Sequence, residues 1–477
     1  MTISAELRRE CGFQHILDGL ECMSPFGRER LQRPVYYSDR EALETEYERV
    51  RRAMRFIREE PEAASAVDRE LMGLRDIRGS LSRCRDGETL TLAELFEVKR
   101  LLLRLESLRA LCLENPAIAE LAPDNCSEAL ALLDPRGEKK AVYHIEDNAS
   151  PALRDAREAK RDCERRLYAC REERDRTALL QERELACAAE ERAELAVREK
   201  ISRMLAPHCE ALTEDCGRAG HLDLLLRKAA LAAREDTSLP TVSESGLHLK
   251  NMTSPSVAEQ LAKTGRRFVP LTMDIAPGAT VITGANMGGK SVALRAVACN
   301  VLLGMGGFPV FAEEACIPIV RGVRLLTGDA ERPEEGLSSF GGEIARLRDA
   351  VRVHGKDTLL LVDEPARGTN PEEGAALVRA LTEWLNGQEG FAVLTTHYSG
   401  AAAFAGGHYR IRGLHGCDTA QLKSELAARP DDGPAILARH MDYGLVPASR
   451  DEDCPHEAMD ICRLLGLPEE ILSLVKN

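Results

Sequence analysis

Residues Ile282 to Ser291 read ITGANMGGKS, and the last eight of them fit the phosphate-binding pattern G-x-x-x-x-G-K-[ST]. A short apolar run, ATVIT at 279–283, precedes the pattern, and the periodically apolar stretch SVALRAVACNVLLGM follows it. The pattern therefore stands between a predicted buried strand and the start of a predicted helix, as a phosphate loop requires. This context predicts a site for a nucleoside triphosphate.

The positions of the loop have different expected roles. Backbone N–H groups of a glycine-containing loop close around phosphate oxygens, and the helix N-terminus adds partial positive charge. Lys290 is expected to contact the β- and γ-phosphates, and Ser291 to bind Mg²⁺ through its hydroxyl. The predicted nucleotide-binding residues are Gly284, Ala285, Asn286, Met287, Gly288, Gly289, Lys290 and Ser291.

Two further apolar runs end in residues that suit phosphate chemistry. TLLLV at 358–362 leads into Asp363, expected to hold Mg²⁺, and Glu364, expected to position or activate the attacking water. FAVLT at 391–395 leads into TTHYSG, in which His397 is placed to contact the γ-phosphate. The sequence therefore predicts an ATPase that uses ATP and Mg²⁺, with Lys290, Glu364 and His397 as its catalytic residues.

The spacing of apolar residues predicts four parts. Residues 1–149 form a helical core, 150–236 long helices, 237–440 an α/β phosphate-loop domain and 441–477 a helical C-terminal segment. Three stretches are predicted to lack regular structure: CMSPFGRERLQRP near the N-terminus, the turn-rich linker DTSLPTVSESGLHLKN, and YGLVPASRDEDCP. The fold class is thus helical followed by α/β.

The stretch from Ser150 to Leu205 is rich in Arg, Glu and Ala. Ser150 and Pro151 are typical of a helix start, with the serine as cap and the proline at the first helical position. Either one helix of about fifty residues or two antiparallel halves turning near Arg174 fits the pattern. Its 14 basic and 13 acidic residues are balanced, which favours a solvated arm or dimer spacer over a DNA-gripping arm.

Composition limits the possible partners and the compartment. The 477 residues carry a net charge of −14, which weighs against broad non-specific binding of nucleic acid. The fifteen cysteines include no C-x-x-C pair, and neither a secretory signal nor a long apolar segment is evident. We therefore expect a cytoplasmic protein with reduced thiols and no membrane association.

The residues within these motifs resemble those of one protein family. Three stretches are similar to the nucleotide motifs of MutS-like ATPases, which belong to the ABC-type superfamily. They are TGANMGGKS, DEPARGTNPEEGAAL and TTHY. GLSSFGGEI at 336–344, hereafter the signature segment, resembles the element that acts in trans, with Ser338 and Ser339 as its serines. Three further stretches resemble segments of this family. The core segment resembles SPFGRERL, the start of the lever resembles NASPALRDAREAK, and the closing segment resembles LLGLPEEIL. The resemblance implies a homodimer in which two ATPase domains enclose ATP and long helices act as levers.

Departures from the family pattern leave the partner open. We expect no mismatch-reading domain, connector domain or C-terminal nuclease domain, and we expect the lever to be too short for a full DNA clamp. One alternative is a MutS-family ATPase that binds mismatched or branched DNA. The other follows from a resemblance to the MutS-related ATPase component of reactivating factors for adenosylcobalamin-dependent lysine and ornithine aminomutases. That resemblance implies a protein client and ATP-driven release of damaged cofactor without DNA.

Overall fold

The structure is a computed structural model, and it describes residues 3–284, 289–328, 339–414, 417–429, 432–450, 452 and 457–474. Within these ranges, every regular element before residue 237 is a helix, and strands and helices are interspersed after it. The predicted succession of a helical part and an α/β part is therefore confirmed.

By internal contacts the chain forms two compact units. The sheet unit comprises Met1–Leu20, Pro34–Arg51 and Lys228–Asn477, and the helical unit comprises Glu21–Arg33 and Arg52–Arg227. Three separate segments of the chain thus build the sheet unit. The predicted four-part division does not coincide with this contact-based grouping, and it stays a prediction.

Several helices before residue 237 begin at a capping side chain. Ser4, Ser24, Thr91 and Ser150 each accept a hydrogen bond from a backbone N–H in the first turn of the following helix. Such a bond satisfies an N–H group that has no partner within the helix. The helices are α1 (Ala5–Glu10), α2 (Phe13–Asp18), α3 (Pro25–Gln32), α4 (Arg40–Glu59), α5 (Pro61–Met72), α6 (Arg78–Arg85), α7 (Leu92–Glu114), α8 (Ser127–Leu133), α9 (Pro151–Ala169), α10 (Glu173–Leu205) and α11 (Cys209–Ala232).

Helices α9 and α10 form an antiparallel pair. The chain turns at residues 170–172, close to the expected position. Arg157 on α9 contacts Glu190 on α10, with an Nε–Oε1 distance of 3.1 Å. Arg183, nearer the start of α10, contacts Glu164, nearer the end of α9. The antiparallel alternative is therefore confirmed, and the single long helix is wrong.

The prediction that CMSPFGRERLQRP is a loop is wrong, because this stretch contains helix α3. The Ser24 hydroxyl accepts a hydrogen bond from Gly27 N–H at 2.9 Å, and Pro25 occupies the first turn, where its missing N–H is not needed. The same hydroxyl donates to Asp223 Oδ2 at 2.7 Å. A Ser-Pro pair thus starts a helix here, as another does at α9.

The sheet unit contains two sheets and the remaining helices. The strands are β1 (Thr241–Ser243), β2 (Leu247–Met252), β3 (Leu271–Ile275), β4 (Gly278–Thr283), β5 (Glu314–Pro318), β6 (Gly322–Leu326), β7 (Thr358–Val362), β8 (Phe391–Thr396), β9 (Gly407–Gly413) and β10 (Asp442–Pro447). The helices are α12 (Pro255–Lys263), α13 (Lys290–Met305), α14 (Ser339–Arg352), α15 (Pro371–Asn386), α16 (Thr419–Ala428), α17 (Gly433–His440), α18 (Glu457–Leu464) and α19 (Glu469–Leu472).

The larger sheet has six strands in the order β10-β9-β4-β8-β7-β6. Strand β10 runs antiparallel to β9, and the other neighbouring pairs are parallel. Every residue of β4 and β8 is buried, as expected for central strands of a parallel sheet. The predicted strands ATVIT, TLLLV and FAVLT are confirmed as β4, β7 and β8, and the predicted helices between them as α13 and α15.

Two stretches predicted to lack regular structure contain strands instead. DTSLPTVSESGLHLKN contributes β1 and most of β2 to a four-stranded sheet of order β1-β5-β2-β3. YGLVP, expected to be a loop, lies in β10 and pairs with β9, so the predicted helical C-terminal segment begins with a strand. Both corrections have one cause. The residues of these stretches are typical of turns, and the strands with which they pair are distant in sequence. The predicted tail helices are confirmed as α18 and α19.

The carboxyl end of α13 is held by side chains from α4 and α11. Tyr47 Oη donates to the carbonyl of Gly304 at 2.8 Å, and Lys228 Nζ donates to the carbonyl of Gly306 at 3.0 Å. Lys228 Nζ also lies 2.7 Å from Oε1 of Glu46, and these two side chains are 4% and 1% exposed. Donors and positive charge suit a helix C-terminus, where carbonyl groups lack helical partners. The helix that begins at the phosphate loop therefore ends on a buried ion pair.

No helix among the described residues is long and apolar enough to cross a membrane. The cysteines in the described ranges are all free thiols.

Candidate functional site

The carboxyl ends of β4, β8 and β7 lie at one edge of the six-stranded sheet, because these parallel strands are neighbours. The register pairs Val362 of β7 with Leu394 of β8, so Asp363 and Thr395 come next on adjacent strands. Ligands of open α/β sheets bind at such an edge. The segments that leave it carry the predicted catalytic and metal-binding residues, which are Lys290, Ser291, Asp363, Glu364 and His397.

The two ends of the phosphate loop are described. Gly289, the N-cap of α13, has a φ of 89°, in the left-handed region that favours glycine. A Cβ atom at Gly289 would lie 3.3 Å from Cδ1 of Tyr443, so the Tyr443 ring packs against this end of the loop. Of the predicted nucleotide-binding residues, Ala285, Asn286, Met287 and Gly288 lie outside the described residues, and their roles stay predictions.

Lys290 is buried at the first position of α13. Its Nζ donates to the Gly284 carbonyl at 2.7 Å and lies 2.9 Å from Oε1 of Glu364. The first contact holds the lysine against the beginning of the loop. The second joins it to Glu364, which with Asp363 forms the acid pair that follows β7. The structure thus brings together two residues that the sequence separates by more than seventy positions.

The acid pair is anchored by a threonine of the neighbouring strand. The Thr395 hydroxyl donates to Asp363 Oδ1 at 2.6 Å and accepts the N–H of Glu364 at 2.9 Å. Glu364 has a φ of 44°, and a non-glycine residue in this left-handed region costs about 1–2 kcal/mol. Such strain persists where surrounding contacts hold it, and it is often found at functional sites.

The loop after the acid pair is held at Ala366 from both sides. Ala366, with a φ of 64°, donates its N–H to Glu343 Oε1 at 2.7 Å. Its carbonyl accepts a hydrogen bond from Tyr398 Oη at 3.1 Å. Glu343 lies on α14 and belongs to the signature segment, whereas Tyr398 follows β8. The loop therefore connects two of the predicted motifs within one chain.

His397 lies near Glu364 of the acid pair, in partly buried surroundings. Burial lowers the pKa of His397 from its ordinary value of 6.5; Glu364 raises this pKa, and Lys290 and Arg367 lower it. The centroid of the ring is 4.4 Å from that of Tyr398. Among the described residues, the buried Nδ1 atom of His397 has no hydrogen-bond partner. A neutral imidazole of this kind offers one nitrogen to a ligand.

The signature segment is described only from its middle onward. Ser338 lies outside the described residues. Ser339 is the first residue of α14. The predicted action of Ser338 and Ser339 across a dimer interface therefore stays a prediction.

Three residues near the site were missed by the sequence analysis: Thr395, Tyr443 and His408. His408 Nδ1 lies 2.6 Å from the Ser449 carbonyl, so Nδ1 carries the proton and Nε2 accepts from the Thr283 hydroxyl at 2.9 Å. This buried linkage fixes the end of β4 just before the phosphate loop. No local sequence motif identifies these three residues. They reach the site only because strands that are distant in sequence pair with one another.

The donor set suits Mg²⁺. Ser291 contributes a hydroxyl oxygen from the first turn of α13, and Asp363 a carboxylate whose Oδ1 is already oriented by Thr395. Mg²⁺ prefers oxygen ligands and is commonly held by one or two protein groups together with substrate phosphates and water. Ser291 and Asp363 are thus chemically fit for the predicted metal role.

Comparisons with known proteins agree with the motif assignment. A family model described as MutS domain V matches residues 280–426. An Endonuclease MutS2 of Thermus thermophilus is 31% identical over 280 residues, which is 57% of this chain and 34% of that protein. An Endonuclease MutS2 of Streptococcus equi subsp. zooepidemicus is 28% identical over 287 residues, 60% of this chain and 34% of that protein.

A third relative, the Endonuclease MutS2 of Fusobacterium nucleatum, is 29% identical over 261 residues, 54% of this chain and 30% of that protein. The match to each of these three relatives spans about a third of the relative's own length. The domain V match includes the phosphate loop, the acid pair and the histidine after β8. Residues 280–426 therefore resemble domain V of MutS proteins, and the predicted nucleotide motifs lie within this matched region.

Proposed function

We propose that the protein binds ATP with Mg²⁺ and hydrolyses it at the carboxyl edge of the six-stranded sheet. The observation that carries this proposal is the meeting of Lys290 and Glu364, 2.9 Å apart, at the start of the phosphate-loop helix. Phosphoryl transfer uses a lysine that binds phosphate oxygens and a residue that positions the attacking water, and these are the roles expected of Lys290 and Glu364. Thr395 and Gly284 hold this pair through hydrogen bonds.

ATP binding and activation of Glu364 are linked through Lys290. When phosphate oxygens draw the Lys290 ammonium away, Glu364 loses its closest positive partner and can accept a proton from water. We expect His397, whose Nδ1 has no hydrogen-bond partner among the described residues, to contact the γ-phosphate. Ser291 and Asp363 would hold Mg²⁺, which would neutralise charge that develops on the phosphate oxygens.

We further propose that ATP brings two copies together in an ABC-type arrangement. Ser338 and Ser339 of one copy would then complete the site of the other. In this arrangement residues 237–440 are the ATPase domain, residues 150–236 the lever and residues 1–149 the core. A small rotation at the ATPase domain becomes a large displacement at the far end of a long lever.

For the partner, DNA and a protein client remain two proposals. The relatives named Endonuclease MutS2 favour DNA by their family. Several basic side chains of the α9–α10 pair, however, contact acidic ones: Arg157 contacts Asp147, Glu190 and Glu194, and Lys160 contacts Glu190. Basic groups already paired within the chain gain less from phosphate contacts, because DNA must first displace their partners. This pairing favours a protein client, of which an aminomutase with a cobalamin cofactor is one example.

Release of phosphate from ATP by the purified protein tests the ATPase proposal. We expect turnover that requires Mg²⁺ and stops on chelation of the metal. A protein that releases no phosphate, whether or not DNA is added, contradicts the proposal.

Titration with duplex, mismatched and junction DNA at low and moderate salt distinguishes the partners. Binding that weakens steeply with salt supports DNA, because each phosphate contact releases a counterion. Absence of binding at low salt leaves the protein client as the proposed partner.

A further inference from the structure

We propose that Thr395 is a positioning residue for the acid pair, a role that rests on the proposed ATPase function. Thr395 lies in β8, and its side chain is fully buried. Its single hydroxyl contacts both members of the pair: the carboxylate of Asp363 at 2.6 Å and the backbone N–H of Glu364 at 2.9 Å. One oxygen atom on β8 thus orients two residues at the end of β7.

The direction of the two hydrogen bonds follows from their chemistry. A backbone N–H can only donate and an ionised carboxylate can only accept, so the hydroxyl hydrogen of Thr395 points to Asp363. The lone pair of the hydroxyl then receives the N–H of Glu364. Hydrogen bonds in series polarise one another, and a bond to a carboxylate is stronger than one between neutral groups.

This arrangement links the metal ligand to the base. Asp363 Oδ1 is occupied by the hydroxyl, which fixes the rotation of the carboxylate and directs Oδ2 away from this bond. Glu364 is held in the left-handed region, at a φ of 44°, while its N–H points at Thr395. Without the hydroxyl, rotation of the Asp363 carboxylate and relaxation of the Glu364 backbone both become easier. The metal position and the base position would then be lost together.

The chain offers a matched control for this residue. Thr382 in α15 is as fully buried as Thr395, and its hydroxyl donates to the Val378 carbonyl at 2.8 Å. Replacing either threonine by valine removes one buried hydroxyl and keeps the shape of the side chain. Only the change at Thr395 alters contacts to charged residues of the site.

The test compares Thr395→Val, Thr395→Ser and Thr382→Val in the full chain. Removal of a hydrogen-bond partner behind a metal ligand typically costs about 10–100-fold in metal affinity or activity. We expect a loss of this size in kcat for Thr395→Val, a higher Mg²⁺ requirement and a nearly unchanged KM for ATP. Thr395→Ser keeps the hydroxyl and should remain close to the unsubstituted protein, as should Thr382→Val.

Amide hydrogen exchange provides a readout that needs neither nucleotide nor metal. In the nucleotide-free protein, the Glu364 amide should exchange faster in Thr395→Val than in Thr395→Ser or Thr382→Val, because its acceptor is gone. Pro365 has no amide hydrogen, so the difference in exchange between peptides ending at Asp363 and at Pro365 isolates the Glu364 amide. If Thr395→Val does not fold, Thr395→Ala removes the hydroxyl without adding bulk and carries the same expectations.

Three results overturn the role of Thr395: unchanged kcat in Thr395→Val, equal losses in the valine and serine variants, or an equal loss in Thr382→Val. Glu364 exchange that does not change on loss of the hydroxyl overturns it as well. If the unsubstituted protein lacks ATPase activity while the exchange pattern is as expected, the proposed function fails and the orienting contact stands.

Discussion

The Nζ atom of Lys290 lies 2.9 Å from Oε1 of Glu364, and the two side chains are 4% and 14% exposed. Each side chain thus forms an ion pair through the group that it would use in its expected role. Lys290 is neutralised where phosphate would bind, and Glu364 is neutralised where it would accept a proton. Once phosphate draws Lys290 away, Glu364 still has a positive group nearby, because Nη1 of Arg367 lies 3.7 Å from its Oε2.

Replacing Lys290 by Ala should abolish binding of ATP, because the ammonium group that contacts the β- and γ-phosphates is removed. Calorimetric titration with ATP and Mg²⁺ measures this loss. Lys250→Ala is the control, because Lys250 pairs with Glu313 and Glu314 at an exposed site on β2. This variant should bind ATP normally. Tight ATP binding by the Lys290 variant contradicts the phosphate-loop assignment.

Replacing Glu364 by Gln should slow hydrolysis by about 100-fold or more while ATP still binds, because an amide cannot serve as a general base. Single-turnover phosphate release gives the rate, and light scattering should show a dimer that persists with ATP. Glu372→Gln, in the exposed first turn of α15, is the control and should hydrolyse ATP at the normal rate. An unchanged rate in Glu364→Gln removes this residue from its assigned role.

The stability of the protein should fall as pH drops below about 6.5, in part through His397. Burial lowers the pKa of His397 in the folded state, so the unfolded chain binds the proton more tightly. The contribution of His397 is therefore fully present above the unfolded pKa and is lost as pH falls through it towards the folded pKa. Burial lowers the pKa of His354 too, and it contributes in the same direction.

Thermal midpoints measured between about pH 7.5 and pH 6 test this dependence. His397→Asn should lose less stability over this interval than the unsubstituted protein, because asparagine does not titrate. The double variant with His354→Asn should lose less still. An identical decline in all three proteins contradicts the assignment.

Replacing Lys228 by Met should destabilise the sheet unit by about 3–5 kcal/mol, because it leaves the buried Glu46 carboxylate without its closest partner. Trp384, the single tryptophan of the chain, lies in α15 and reports unfolding of this unit by fluorescence. Lys250→Met removes only exposed ion pairs with Glu313 and Glu314 and should cost much less, because water already solvates these charges. Equal losses in the two variants contradict the importance of the buried pair.

Features with local causes could be predicted from the sequence. Strands β4, β7 and β8 follow from continuous apolar runs, and the start of α9 follows from a serine cap and a proline. The expected acid pair and phosphate loop could be placed on one sheet edge, because parallel strands on either side of helices end together. These features depend on residues that are near one another in sequence.

Features that depend on register or distant contacts could not be predicted. Thr395 is one of two threonines in a buried strand, and only the alignment of β7 with β8 places its hydroxyl beside Asp363. Strand β1 has three residues, and its partner β5 lies about seventy positions further along the chain. The left-handed φ of Glu364 has no sequence signal, since glycine is the residue expected there.

The contact between Tyr47 and Gly304 has a consequence for biosynthesis. The two residues are 257 positions apart, which corresponds to about 10–50 s of translation at typical rates of about 5–20 residues per second. During that interval the N-terminal segment has left the ribosome, but the helix end that it holds does not yet exist. The helical unit, complete at Arg227, can fold first. The nascent chain therefore carries Tyr47 and Glu46 exposed until synthesis is well advanced, a period in which chaperone binding would protect it from aggregation.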